Sequence, residues 1–441
     1  MKNMCEGPVL KTLLMFAMPL VLGSLFQQLY NVTDTIIVGQ VLGINSLQAM
    51  GATSPLYGLI LSLTIGLVNG IAIPIAKYFG AKDYDNMRKA IANTFVYCTV
   101  IGIAMTIVAL IINVPLLELL KTPDKLIGMS SSYLGIISSG LIIAVLYNVL
   151  GCVLRSVGDS KTPLYFLILS AFINIILDYI LLKYTSLGVN GAAIATLIAQ
   201  SVSVILATIV LFKKFKSIVP QKKDFVFEKE MSKEQITLGI SMSLMASIVS
   251  IGTVVLQSSV NALGPLYIGA HTASRKIIEM LMTPLSSIGM AATTFASQNF
   301  GAKKYSRIKE LVKKASLIGF VYTIVVIIIT YTNADFFIKL FLKEYDAEVI
   351  AISSQYLKFS VLLFFALGPL FIIRNVLQGM GETLVPIISS ILECLVKVAA
   401  VFILVPYLNY NGVILAEPLA WLIMFIVLTI DFRKKIEKYN N

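Results

Sequence analysis

The sequence predicts an all-α membrane protein: twelve transmembrane helices in two six-helix bundles related by a pseudo-two-fold axis along the membrane normal. Three observations predict it. Of 441 residues 57% are hydrophobic and only 13% charged, with a mean hydropathy of +0.87, outside the range of a soluble domain. Apolar runs of the roughly 20 residues that an α-helix needs to cross the hydrocarbon lie near 13–38, 48–76, 90–112, 131–154, 164–183 and 188–212, and again near 236–260, 266–298, 315–331, 351–374, 385–404 and 410–431. Finally, the halves are copies: FGAKDYDNMRKAI (Phe79 to Ile91) returns as FGAKKYSRIKELV (Phe300 to Val312), offset by 221, and LRSVGDSKTP (Leu154 to Pro163) returns as LQGMGETLVP (Leu377 to Pro386), offset by 223. So long a period excludes a solenoid and suggests a duplicated transporter bundle with a substrate path where the copies meet.

Between the copies lies KKFKSIVPQKKDFVFEKEMSK, Lys213 to Lys233, with seven lysines, the one long polar stretch away from the ends. It divides the chain into an N-lobe at 1–212, a cytoplasmic linker at 213–233, read as a hinge, and a C-lobe at 234–441. With both termini cytoplasmic, 26 of the 35 lysines and arginines, Lys2 and Lys11 among them, fall on that side and five on the other. This bias orients a multi-pass protein of the inner (cytoplasmic) membrane. Six spans per half give both halves one topology, hence parallel repeats. The first apolar run is too long for a signal peptide and reads as a true span.

The net charge of +12 does not point to nucleic acid, because the basic residues sit between apolar runs and form no stripe on a soluble module. Cys5, Cys98, Cys152 and Cys394 are scattered, so neither a disulfide framework nor a metal spacing can be drawn. A single histidine, His271, argues against a histidine zinc site, and no nucleophile motif suggests an enzyme. Pro19, Pro55, Pro74, Pro284 and Pro369 fall well inside spans, where each removes a backbone hydrogen bond and kinks its helix.

A carboxylate at mid-membrane costs about 2.5–3.5 kcal/mol, so an acid there signals function. Five lie in the spans: Asp34, Asp178, Glu279, Glu393 and Glu417. Gln27, Asn31 and Asp34, spaced i, i+4, i+7, share a face of the first helix. Asn174 and Asp178 share a face of the fifth, and Thr196, Gln200 and Ser203 one of the sixth. Counted at 1.5 Å per residue, Asp34, Asp178 and Thr196 can meet in the outer half of the bilayer. Two such carboxylates, if close and dry, share a proton, because desolvation and like charge disfavour the doubly ionised form; a Na⁺ among the oxygens is the alternative. A structural acid that only fixes packing is the bland reading.

The second half does not duplicate this pair. Lys397 stands opposite Asn174, Val401 opposite Asp178 and Glu417 opposite Thr196. Glu393 and Lys397, at i, i+4, read as a neutralised packing pair. Glu417, with no partner on its own helix, and Glu279 are candidates to face substrate. His271 and Arg275 read as interbundle packing or gating residues, and the sixteen methionines as core filler rather than a drug-binding surface.

PLVLGSLFQQLYNVTDTIIVG (Pro19 to Gly39), the GAKDY loop, LRSVGDSKTP, NIILD (Asn174 to Asp178) and NGAAIAT (Asn190 to Thr196) resemble, in order and spacing, the multidrug and toxic compound extrusion family over essentially the whole chain. The resemblance implies a V-shaped pair of bundles that extrude small organic, often cationic, compounds in exchange for H⁺ or Na⁺, with no cofactor, as a monomer in the bilayer. It implies an N-lobe cation or proton site at Asp34, Asn174 and Asp178, completed by Thr196 and supported on the same faces by Gln27, Asn31 and Gln200. Ion binding there would reshape the helix faces, and the bundles would rock to alternate access. The branch with acids in its seventh and tenth helices is not matched: the regions near Ser243 to Ala246 and near Leu367 hold none. Two rivals are a lipid-linked saccharide flippase, which would line its cavity with basic residues that the first-half spans lack, and a membrane-embedded enzyme.

Overall fold

The structure, a computed structural model, describes residues 3–120, 122–340 and 347–440. Lys2, Lys121 and Lys343 of the charge count lie outside them. The helices are α1 (Val9–Leu42), α2 (Ile44–Gly80), α3 (Tyr84–Leu119), α4 (Asp124–Ser139), α5 (Leu141–Ser156), α6 (Lys161–Tyr184) and α7 (Asn190–Lys214), then α8 (Lys229–Ala262), α9 (Pro265–Gly301), α10 (Tyr305–Lys339), α11 (Ala347–Leu362), α12 (Phe364–Gly379), α13 (Leu384–Ala399), α14 (Val405–Leu408) and α15 (Tyr410–Asn440). A π-helical stretch, Ala400–Leu404, joins α13 to α14, so that Leu384–Leu408 serves as one span.

Among the described residues nine helical segments are long and apolar enough to cross a membrane, and the pairs α4–α5, bent by 42°, and α11–α12, bent by 53°, each pass as one broken span. The twelfth expected span, α9, has the length but is too polar to pass: it carries Arg275, Lys276 and Glu279 and many hydroxyls.

The duplication is written into the backbone. Left-handed φ angles recur in pairs at Gly43 and Gly264, Lys82 and Lys303, Gly158 and Gly381, and Gly188 and Asn409, separated by 221, 221, 223 and 221 residues. The bends at Gly140 and Leu363 fall at equivalent places too. At Gly158 and Gly381 the chain reverses at the end of a helix with φ of 82° and 89°, a conformation in which a Cβ would crowd the following carbonyl.

The chain forms two compact units. The first is built on Met18–Ser243. Its core joins α2, α3, α5 and α7 through Ile71, Ile75, Ile91, Val149, Val153 and Leu211. The segment 213–233 lies within this unit and is docked rather than loose. Asp224, 3% exposed, accepts from the Gln221 backbone at 2.7 Å and pairs with Arg88 at 3.3 Å. Lys89 holds Glu228 at 2.6 Å and Lys77 holds Glu234 at 2.6 Å. The start of α8 belongs here as well: buried Gln235 donates to the carbonyls of Ile71 and Ala90 and to Thr94 Oγ1 at 3.0–3.1 Å.

α8 can approach α2 because Gly70 faces it without a side chain. A Cβ at Gly70 would stand 2.3 Å from the Leu238 carbonyl oxygen, whereas one at Gly58 on the same helix meets nothing within 4 Å. Gly70→Ala is therefore expected to lower stability by about 1–3 kcal/mol through forced backbone shifts, and Gly58→Ala to be neutral or to stabilise by up to about 1 kcal/mol. Unfolding of both variants in mixed micelles measures the contrast.

The second unit comprises Leu244–Asn441 together with Met4–Ala17. Its N-terminal strip is pinned by polar side chains: Met4 N donates to Gln298 Oε1 at 2.9 Å, Arg307 Nη2 donates to Met4 O at 3.0 Å, and Lys304 Nζ donates to Cys5 O at 2.8 Å. α12 packs on α9, α10 and α15, with α10 and α12 brought together at Gly319 and Gly368.

Candidate functional site

The first unit gathers Asp34 of α1, Asn174 and Asp178 of α6 and Thr196 of α7 into one buried cluster. Asp178 is 0%, Asn174 1% and Asp34 9% exposed. The helical spacing does this: one turn separates Asn174 from Asp178, so both side chains leave the same face of α6, which packs along α7. The Asn174 amide, turned with its nitrogen toward the carboxyl, donates to Asp178 Oδ2 at 2.7 Å, while its oxygen accepts from Thr196 Oγ1 at 3.2 Å and from the Thr196 backbone N–H at 3.1 Å. The carboxyls of Asp34 and Asp178 come within hydrogen-bonding reach of each other. Each nevertheless has a buried Oδ1 with no hydrogen-bond partner. Toward the helix ends the cluster is closed by apolar packing of Val38, Leu182, Ala192 and Ala193 with Leu134 and Tyr133.

The other polar residues of the three faces divide. Gln27 and Asn31 bond one another at 3.3 Å, and Asn31 is exposed, whereas Asp34 on the same nominal face is buried. Gln200 keeps a buried Oε1 without a partner, and Ser203 donates to the Phe166 carbonyl at 3.1 Å. A residue that the sequence reading passed over takes their place. Tyr30, one turn before Asp34, brings its hydroxyl within hydrogen-bonding reach of Thr196. Its i, i+4 spacing from Asp34 is the signal that would have found it.

The second unit holds a charged cavity of about 150 Å³ bounded by α8, α9, α12, α13 and α15. Arg275 pairs with Glu417 at 2.5 Å and with Glu279 at 3.2 Å; Lys397 pairs with Glu393 at 3.0 Å and Glu417 at 3.2 Å. Glu417, only 5% exposed, thus has two cations as well as the Tyr356 hydroxyl at 3.5 Å; cross-helix pairing supplies the counter-charge that its own helix does not. Glu279, with 53% of its side chain exposed, is the acid open at the cavity edge. Glu393 shares its charge between Lys397 and Arg374, the latter at 3.6 Å. Arg374 reads in the sequence as the cytoplasmic end of its span, yet its side chain is only 12% exposed and lines the cavity. His271 is buried, with Nδ1 3.2 Å from the Tyr410 hydroxyl and its ring against Tyr356, a packing role inside its own unit.

The family model MatE matches the chain twice, over residues 19–180 and 241–403. The chain belongs to the MATE family. The two matches begin 222 residues apart, the interval of the internal repeat. The probable multidrug resistance protein YoeA of Bacillus subtilis is 28% identical over 95% of this chain and 92% of its own, and the multidrug export protein MepA of Staphylococcus aureus is 24% identical over 98% of each. Among solved structures, a MOP superfamily transporter from Pyrococcus furiosus, described as having a binding pocket of reverse polarity, superposes with a TM-score of 0.93 at 24% identity over the whole of both chains. A MATE transporter in a bent conformation gives 0.93 at 24% identity over 99% of this chain and 97% of its own. This MATE protein is accordingly a multi-pass multidrug efflux transporter of small molecules rather than an enzyme, and its twelve helical segments in two bundles are the fold of that family.

Proposed function

We propose that this MATE protein exports organic, often cationic, compounds in exchange for protons, with Asp34 and Asp178 carrying the proton and Asn174, Thr196 and Tyr30 fixing their geometry. The observation that supports this reading is the pair of buried, unpartnered Oδ1 atoms on two carboxyls within reach of each other. Two ionised carboxylates can only repel; one shared proton supplies the missing donor and removes the like-charge contact. Releasing it restores the repulsion, and the difference between the two states biases the packing of α1 against α6 and α7, as alternating access requires. A sodium ion fits less well, since the Asn174 oxygen is committed to Thr196 and leaves the ion mainly the two carboxylates. The reading places the chain in the cytoplasmic membrane with both termini inside, working as a monomer. A drug cation would rest on apolar walls with Glu279 as its counter-charge.

Ethidium transport in proteoliposomes tests the coupling. An imposed pH gradient alone is expected to drive it and an imposed Na⁺ gradient alone is not. Transport that follows Na⁺ and ignores pH would sink the proton assignment.

A further inference from the structure

In the second-unit cavity, three cations, Arg275, Arg374 and Lys397, face only two buried carboxylates, Glu393 and Glu417; the third acid, Glu279, is half-exposed and already shared with Arg275. Charges in the lining balance only through Glu279 at the exposed edge, so the buried part holds fewer acids than cations. The pairing distances show which cation is least compensated. Arg275 and Lys397 each reach a carboxylate within 3.0 Å, but Arg374 stands 3.6 Å from Glu393, donates instead to the thioether of Met424 at 3.0 Å, and leaves its buried Nε without a partner. Thioether sulfur is a weak acceptor for a guanidinium, and a buried donor without an acceptor is costly. The walls beside it are apolar: Ile278, Met282, Leu370, Phe371 and Trp421.

We propose that this cavity binds the carboxylate group of organic anions and zwitterions, with Arg374 as the anchoring cation. A planar guanidinium matches a carboxylate through paired N–H···O bonds, and about 150 Å³ suits a carboxylate and a short apolar stem, the rest of a larger molecule lying outside. Glu279 at the edge would meet an ammonium on the same compound, so zwitterions join lipophilic cations among the substrates. The inference deepens the efflux reading and rests on it for the consequence that bound molecules are exported.

Fluorescence titration of the full-length protein in lipid nanodiscs tests it, with dansylglycine as the carboxylate probe and dansylglycine amide as its uncharged match. Wild type is expected to bind dansylglycine saturably. Arg374→Gln is expected to weaken that binding about tenfold or more, the loss of a charge-assisted pair, and to leave the amide unchanged. Met282→Trp, which fills the cavity and keeps every charge, is expected to weaken dansylglycine comparably and covers the case in which Arg374→Gln does not fold. Absence of saturable binding to wild type, or equal affinity in wild type and either variant, overturns the proposal. No gradient is used, so ethidium efflux that fails to follow pH would refute the coupling assignment and leave this result standing.

Discussion

Asp178→Asn is expected to reduce pH-driven ethidium efflux to the leak of empty liposomes, and Asp34→Asn to do the same, while both variants insert and melt within a few degrees of wild type. An amide has nearly the size of the carboxyl and still bonds its neighbours, so packing around Asp178, 0% exposed next to the Asn174 amide, is preserved. What it cannot do is gain and lose a proton. The two substitutions should not add: if one proton is shared, removing either partner ends the exchange, and the double variant is no worse than the single ones. Wild-type efflux by either variant would show that these acids only hold helices together, and a strong loss of folded protein would have the same meaning.

Glu417→Gln is expected to act on stability. It removes one negative charge from between Arg275 at 2.5 Å and Lys397 at 3.2 Å, leaving Arg275 only the half-exposed Glu279 and Lys397 only Glu393, which Arg374 also shares, an imbalance that approaches the roughly 3–5 kcal/mol of a broken buried pair. Glu279→Gln, at a half-exposed partner of the same arginine, should cost under about 1 kcal/mol. Chemical unfolding in micelles separates the two. Pairing Glu417→Gln with Lys397→Met should recover part of the loss, since the second change restores the balance of cations and acids that the first upsets; a fully additive double variant would mean that the charges do not interact.

The parts of this protein legible in its sequence are those written in periodicities. Apolar run length gave the spans, and the offsets of 221 and 223 gave the repeat, which reappears in the paired left-handed residues from Gly43 and Gly264 to Gly188 and Asn409. Residues one turn apart, such as Asn174 and Asp178, come together as expected because helix geometry alone decides it. What one helix cannot specify is what faces it. Gln27 and Asn31 share a nominal face with Asp34 yet bond one another, and it is Tyr30 whose hydroxyl comes within reach of Thr196. Glu417 looks unpaired along its own helix because its cations come from α9 and α13. Arg374 is an arginine near a span end, where snorkelling to the surface is the ordinary expectation; only packing against Met424 and Glu393 turns it inward. The lysine-rich segment between the halves suggests a free hinge by composition, yet its acids at Asp224, Glu228 and Glu234 each meet a cation of the first unit.

The polarity of α9 bears on how the protein is made. With Arg275, Lys276 and Glu279 along it, this helix is a poor candidate for spontaneous entry into lipid as it leaves the translocon, where each central charge opposes insertion by about 2.5–3.5 kcal/mol. The groups that compensate Arg275 include Glu417 on α15, 142 residues later in the chain. A nascent chain halted before Tyr410 is therefore expected to integrate α9 less completely than one that includes α15, which membrane-integration assays on the two chain lengths would measure.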